Sequence, residues 1–239
     1  MPELKDLIIE PALMKPLDRI AGAQFLIGLM YVNGEDVPKD DRKAFYWVKK
    51  AAEQGHAEAQ IRLGAMYYNN QGVQKDDKKT LYWFEKAAGQ GHVEAQSLLG
   101  GLYRMGIGVE KDYEQAFYWD LKAAEQGDTD SQYVVGLSYL DGKGVPQDGK
   151  QATYWLQRAA EQGDAEAQNY LGIMCAEGQG VPKDYIKAYM WWILSAENGS
   201  ERAPNNLKSF SKTLTPAQIE EAKRLAQEWK PEVGDSQTE

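Results

Sequence analysis

The sequence predicts an all-α fold: an α-α superhelix, or solenoid, of five 36-residue helix-turn-helix repeats with capping helices at its ends. Three observations point there. Glutamine recurs at Gln24, Gln60, Gln96, Gln132 and Gln168 at a constant interval of 36 residues, without an insertion. Within each interval an apolar stripe of helical spacing precedes a glycine-rich turn, such as GIGVEKD or GKGVPQD. The turn is followed by a second helical segment with large and small residues in alternation, as in Ala116, Tyr118, Trp119, Ala123 and Ala124. A fixed period of about 20–50 residues marks stacked supersecondary units rather than one globular core.

Residues 1–20 fall out of this register. Their apolar members, Leu7, Ile8, Leu13, Met14, Leu17 and Ile20, are expected to cover the open end of the stack, and Pro11 and Pro16 keep any helix there short. The repeats then occupy 21–56, 57–92, 93–128, 129–164 and 165–200. In the second repeat Ala59, Leu63, Met66 and Tyr67 lay one apolar stripe along the first helix. Gly28, Gly64, Gly100, Gly136 and Gly172 sit inside the first helices, where glycine costs about 1 kcal/mol relative to alanine. Five such glycines predict a close helix approach with no room for a methyl group. In the first two turns Asp36 and Asn70 stand where later copies have glycine, and both residue types tolerate the left-handed region.

Asp40, Asp76, Asp112, Asp148 and Asp184 are placed to cap the second helices. Tryptophans 47, 83, 119, 155 and 191 are expected to fill the space that the alanine pairs leave. Lys50, Lys86, Lys122 and Arg158 oppose the helix dipole in the last turns, and Gly55, Gly91, Gly127, Gly163 and Gly199 close the helices in the left-handed conformation. Beyond the fifth repeat Ala203 and Leu207 keep the pattern, but Lys208 replaces the packing glycine. Capping helices are expected over 201–230, the last of them opened by Thr215, Pro216 and Gln218. Residues 231–239 are polar enough to be read as a disordered tail.

Composition excludes some functions. A formal net charge of −9 argues against a phosphate-binding surface, so nucleic acid is not an expected partner. One cysteine, Cys175, forms no intrachain disulfide. The first twenty residues carry Glu3, Asp6 and Glu10 among the apolar ones, so no secretory leader is legible, and no apolar run is long enough to insert into a membrane. A cytoplasmic protein is the expectation, or a periplasmic or secreted one had a leader been removed.

The motifs A-x-A-Q-x-x-L-G-x-x-Y, G-x-G-V-x-x-D and A-x-x-W-x-x-x-A-A-x-x-G resemble the Sel-1-like repeat family, relatives of the tetratricopeptide repeats with a slightly longer unit. The resemblance covers about Ala21 to Gly199, and LTPAQIEEAKRLAQEW is similar to the terminal helix of many bacterial members. It implies a right-handed superhelix of helix pairs and a non-enzymatic role as a scaffold or adaptor for other proteins, with no universal active site. Some cysteine-rich members have been associated with β-lactam binding or hydrolysis. A β-lactam-related hydrolase or cell-wall-binding repeat protein is therefore the second functional class. Those units are stapled by cysteine pairs; here the lone Cys175 takes the place of Tyr31, Tyr67, Tyr103 and Tyr139 and reads as a buried packing thiol.

Other chemical signals are weak. Ser209-Phe210-Ser211-Lys212 matches S-x-x-K, but neither S-D-N nor K-T-G accompanies it. His56 and His92 lie one period apart at helix starts, without the further ligands of a zinc site. The GxG turns lack the continuation of a phosphate loop, and Asn198-Gly199-Ser200 is a glycosylation sequon only on a secretory route. No catalytic residue, metal ligand or cofactor is predicted.

A binding surface is sought where the copies differ at fixed helical geometry. On the first helices such positions run Phe25, Ile61, Ser97, Tyr133, Asn169 and, four residues on, Leu29, Ala65, Gly101, Leu137, Ile173. Further along they run Val32, Tyr68, Arg104, Leu140, Ala176 and Asn33, Asn69, Met105, Asp141, Glu177. By resemblance this strip faces the concave groove and a protein or peptide segment. The candidate binding residues are Phe25, Asn33, Ile61, Tyr68, Asn69, Arg104, Tyr133 and Asp141. The other reading is that some of them pack between repeats. The sequence leaves the oligomeric state open.

Overall fold

The structure, a computed structural model, describes residues 20–230. The expected N-terminal cap, apart from Ile20, and the expected tail at 231–239 lie outside the described residues. Among the described residues the chain forms twelve α-helices and no strand. They are α1 (Ala21–Asn33), α2 (Asp41–Glu53), α3 (Ala57–Tyr68), α4 (Asp77–Ala88), α5 (Val93–Met105), α6 (Tyr113–Glu125), α7 (Thr129–Asp141), α8 (Gly149–Glu161), α9 (Ala165–Glu177), α10 (Tyr185–Glu197), α11 (Ala203–Phe210) and α12 (Pro216–Glu228). They fall into two compact units that part between Asp112 and Tyr113, so α1–α5 form one and α6–α12 the other.

Local chemistry sets the helix ends. The Asp40 carboxylate accepts from the backbone N–H groups of Arg42 and Lys43, both at 3.0 Å, and Asp76, Asp148 and Asp184 start α4, α8 and α10 in the same manner. The first helices are capped by different residues in the same slot: His56 Nδ1 accepts from Ala59 N–H at 3.2 Å, and Asp164 takes that place for α9. Asp36 and Asn70 adopt φ of 60° and 56°, the left-handed conformation expected of them. Gly72, also left-handed, lies so near the Asp41 carbonyl oxygen that any side chain would collide with the start of α2.

In the first unit the core is built from Ala44, Val48, Ala51 and Ala52 of α2 against Ala59, Leu63, Met66 and Tyr67 of α3. The helix glycines are crossing points: a methyl group on Gly28 would lie 2.6 Å from Val48 Cγ2, and one on Gly64 would lie 2.5 Å from Phe84 Cε1. The second unit repeats the contact between Gly136 and Leu156 and between Gly172 and Trp192.

This corrects the expectation for the tryptophan ladder. Trp47, Trp83 and Trp119 are only half-buried, although Trp155 and Trp191 are buried. The fully enclosed side chain is the one after the tryptophan, Val48, Phe84, Leu156 or Trp192, because that position points at the partner helix's glycine. Asp120 holds the same position in α6 and is also buried. Trp47, Trp83, Trp119 and Trp155 stand edge-on to exposed tyrosines, as Trp83 does to Tyr82 at 5.0 Å, and Lys86 lies over the Tyr82 ring.

The glutamines that mark the period have a structural task. Gln60 Nε2 donates to the Ala52 carbonyl at 3.2 Å, while Gln60 Oε1 accepts from Gln90 Nε2 at 2.8 Å, so one buried amide ties α3 to α2 and to the turn that follows α4. Gln132 and Gln168 do the same in the second unit, through Gln162 and Asn198. Such groups are costly to bury unpaired, which explains an unchanging residue at this place. The pattern ends with α11 and α12, both packed on α10, where Trp191 meets Trp229 at 5.6 Å. Thr215 and Gln218 form the expected capping box at the start of α12, with Pro216 in its first turn.

Candidate functional site

Two candidate residues of the first unit meet. Phe25 and Ile61 line an open hollow of ≈ 320 Å³ together with Ala65, Arg62, Glu58 and Glu94. Its floor is apolar and its rim carries two exposed carboxylates. Ile61 is 7% exposed, so it contributes floor rather than a protruding contact. Phe25 is half-buried with its ring 5.0 Å from that of His56. Arg62 forms the wall; its Nη2 donates to Gln71 Oε1 at 3.3 Å, while its buried Nε has no hydrogen-bond partner.

The repeats account for the hollow. Ala65 and Gly101 stand in the second and third copies where Leu29, Leu137 and Ile173 stand in the others. Gly101 differs from the crossing glycines: a methyl group there would meet nothing nearer than Met105 Cε at 3.9 Å. Packing therefore does not require this glycine. Exposed Leu26 and Leu98 occupy the equivalent positions on either side of Arg62 in sequence register.

The remaining candidates are spread along the helices. Tyr68 is exposed at the far end of α3, with Lys75 Nζ 5.1 Å from its ring centroid. Seven residues separate it from Ile61, about 10 Å along the helix. Asn69 follows it as the C-cap of α3 and is exposed, as is Asn33, whose amide donates to Glu35. Arg104 is half-buried in the last turn of α5. Tyr133 and Asp141 belong to α7, in the second unit. The Tyr133 ring leans on Tyr170 at 5.9 Å, and burial raises its phenol pKa, reinforced by Tyr170 and the carboxylates of Glu166 and Asp164. Asp141 is exposed and paired with Lys143 at 2.7 Å. Glu58, Arg62 and Glu94 were not among the sequence candidates; the available signal was their place beside Phe25 and Ile61 on the same helix faces.

The weak chemical motifs are engaged structurally. The Ser209 hydroxyl donates to the Asn205 carbonyl at 2.9 Å. Cys175 is buried, and burial pushes its thiol up to about 11, away from the reactive thiolate. Among the described residues no three His, Cys, Asp or Glu side chains are placed to hold a metal ion, and no helix is long and apolar enough to cross a membrane.

A family model described as the Sel1 repeat matches residues 21–56, 57–92, 93–128, 129–164 and 165–200. The chain belongs to the Sel1 repeat family. Its fold is accordingly an all-α solenoid of five Sel1 repeats. A Sel1 repeat protein from Oxalobacter formigenes is 36% identical, with a TM-score of 0.78 over 91% of this chain and 90% of its own. The protective antigen c5321 of uropathogenic Escherichia coli, which displays an SLR fold, is also 36% identical, with a TM-score of 0.78 over 87% of this chain. This chain spans 46% of that antigen's length, about half. No curated protein matches the chain.

Proposed function

We propose that this Sel1 repeat protein is a non-enzymatic interaction scaffold that holds a segment of a partner protein on the first-helix face of the unit α1–α5. Sel1 repeats commonly serve as protein-interaction scaffolds. The observation that carries the reading is the hollow at Phe25, Ile61 and Ala65, next in register to a helix glycine, Gly101, that no neighbour demands. A mid-helix glycine costs about 1 kcal/mol relative to alanine. Its retention without a packing cause suits a surface that something else must approach closely.

An apolar side chain of the partner enters the hollow, and Glu58 and Glu94 meet polar or basic groups beside it. Tyr68 and Arg104 supply the residue types that most often anchor interfaces, where truncation commonly costs about 2 kcal/mol or more. The acidic balance of the chain argues against a phosphate backbone as this partner.

The test compares proteins captured by the wild type with those captured by an Ala65→Leu, Tyr68→Ala, Arg104→Ala variant. Leucine at residue 65 is what other copies carry at that position, so the helix is expected to keep its melting midpoint. A bound protein that loses at least tenfold in affinity, about 1.4 kcal/mol, supports the site. Equal capture of every protein by the folded variant refutes it.

A further inference from the structure

In the second unit the same positions meet at successive repeat interfaces. Between α6, α7 and α8, Phe117, Leu121 and Tyr139 pack against buried Val135 and Trp155, and the Phe117 and Tyr139 rings stand edge to face at 5.3 Å and 87°. One period later the corresponding residues are Thr153, Gln157, Cys175, Leu171 and Trp191. The two facing rings and the leucine have given way to a short hydroxyl side chain, a thiol and an amide. The helices do not close over the loss. The α9–α10 spacing is held by the Gly172–Trp192 crossing, and the α8–α9 spacing by the Gln168 amide bonded to the Ala160 carbonyl at 3.0 Å.

The vacated volume remains as a pocket of ≈ 400 Å³, walled by Thr153, Leu171, Cys175, Met190 and Trp191 and flanked by Leu225 of α12. Sites for small molecules typically measure about 300–1,000 Å³. Its polar groups are mostly occupied: the Thr153 hydroxyl donates to the Gly149 carbonyl at 2.9 Å, and the Asp184 carboxylate accepts from the Ile186 and Lys187 N–H groups. Lys187, at the mouth, differs. The equivalent Lys43 and Lys79 lie over the rings of Tyr31 and Tyr67, at 5.3 and 5.1 Å, whereas Lys187 has Cys175 in place of the ring. Its ammonium forms no ion pair among the described residues.

We propose that this pocket binds a small aromatic anion, its ring in the volume that Phe117 and Tyr139 fill one repeat earlier and its carboxylate at Lys187. The two missing rings set the shape, and Trp191 offers an aromatic wall. Lys187 sets the sign of the charge; Lys183, also at the pocket, lies over the Tyr185 ring at 5.0 Å.

The probe is 4-hydroxyphenylacetate, a tyrosine side chain carrying a carboxylate, titrated into the full chain by calorimetry and followed by saturation-transfer NMR. Saturable one-to-one binding is expected. It should weaken at least tenfold in Lys187→Gln, and also when cyclohexylacetate, equally charged but with a saturated ring in place of the aromatic one, replaces the probe. Cys175→Tyr combined with Thr153→Phe restores the ring pair of the preceding interface and should abolish binding with an unchanged or higher melting midpoint. Thr153→Phe alone gives the same reading if the double variant misfolds. Absence of saturable binding at millimolar probe, equal binding of cyclohexylacetate, or binding that survives the filled pocket would overturn the proposal.

Discussion

The second repeat, residues 57–92, and the fifth, residues 165–200, are copies of one unit with different surroundings. Both carry a buried glutamine bonded to the preceding helix, a glycine under a large side chain, and an aspartate that starts the second helix. They diverge where they face something other than themselves. In the second repeat Tyr82 is 47% exposed and Trp83 half-buried. In the fifth, Met190 and Trp191 are buried, and α12 packs on the helix that bears them. Tyr67 packs edge to face on Phe45, whereas Cys175 borders a pocket. The task of a position that meets the same neighbour in every copy is set by the period; a position that faces outward is set by what comes next. A residue type that recurs in every copy is therefore not the same thing as a buried residue.

The strongest way to break this comparison is to empty the two aromatic sites. Trp192→Ala removes a side chain that is 1% exposed and should cost about 3–5 kcal/mol, the range for large buried aromatics. Trp83→Ala, at the recurring tryptophan position but half in solvent, should cost less than half of that. Urea melts followed by circular dichroism give both values. Equal losses would restore the tryptophan ladder as the principal core.

The same distinction explains what could be read without the structure. The period, the paired helices, the aspartate caps and the left-handed Asp36 and Asn70 depend on spacing and on local backbone preference, which a sequence displays directly. The residues over the glycines do not. Val48, Phe84, Leu156 and Trp192 share no residue type, only the task of covering a glycine twenty residues earlier, and a repeat search rewards identity. At the candidate site the variable Phe25 and Ile61 were legible, and the structure places them together. Glu58, Arg62 and Glu94 were not: the two glutamates lie in the first turns of their helices, where a charge reads as a solvated start, and Arg62 sits in mid-helix, where a charge reads as a solvated face. Tyr133 and Asp141 share the strip's register but belong to another unit.

A smaller effect separates two kinds of helical glycine. Gly64→Ala places a methyl group 2.5 Å from a Phe84 ring carbon that cannot move aside cheaply. Overpacking of this kind costs about 1–3 kcal/mol, against a helix-propensity gain of about 1 kcal/mol, so a net loss is expected. Gly101→Ala meets only Met105 Cε, at an ordinary contact distance of 3.9 Å, and should raise stability by up to about 1 kcal/mol. The two thermal midpoints should move in opposite directions. A rise in both would mean that Gly64 is not a close crossing, and a fall in both that the chain needs a glycine at residue 101.

The smallest effects compare two aspartate caps, Asp76 at the second helix of the second repeat and Asp164 at the first helix of the fifth. Asp76 accepts from Lys79 N–H at 3.0 Å, and that backbone bond, followed by the Lys79 ammonium, holds its pKa below the usual 3.8. A depressed folded pKa means that the charged form favours the fold. This contribution is complete above the ordinary carboxylate value and disappears as pH falls through the lower folded one. Asp164 also accepts a backbone hydrogen bond, from Ala167, but burial raises its pKa above 3.8 and outweighs that bond. Its charge therefore opposes folding above the raised value, and protonation on acidification relieves the opposition. Asparagine caps nearly as well as aspartate but does not titrate. Asp76→Asn should lower the melting midpoint slightly at about pH 7, with the difference vanishing as pH falls through the depressed folded pKa, where the wild-type carboxylate loses its charge. Asp164→Asn should leave the midpoint at about pH 7 unchanged or higher, and any gain should likewise vanish in acid. If Asp164→Asn destabilised the protein at neutral pH as Asp76→Asn does, hydrogen bonding to the charged carboxylate would outweigh burial at both caps, and the second and fifth repeats would be alike at the very place where their helices begin.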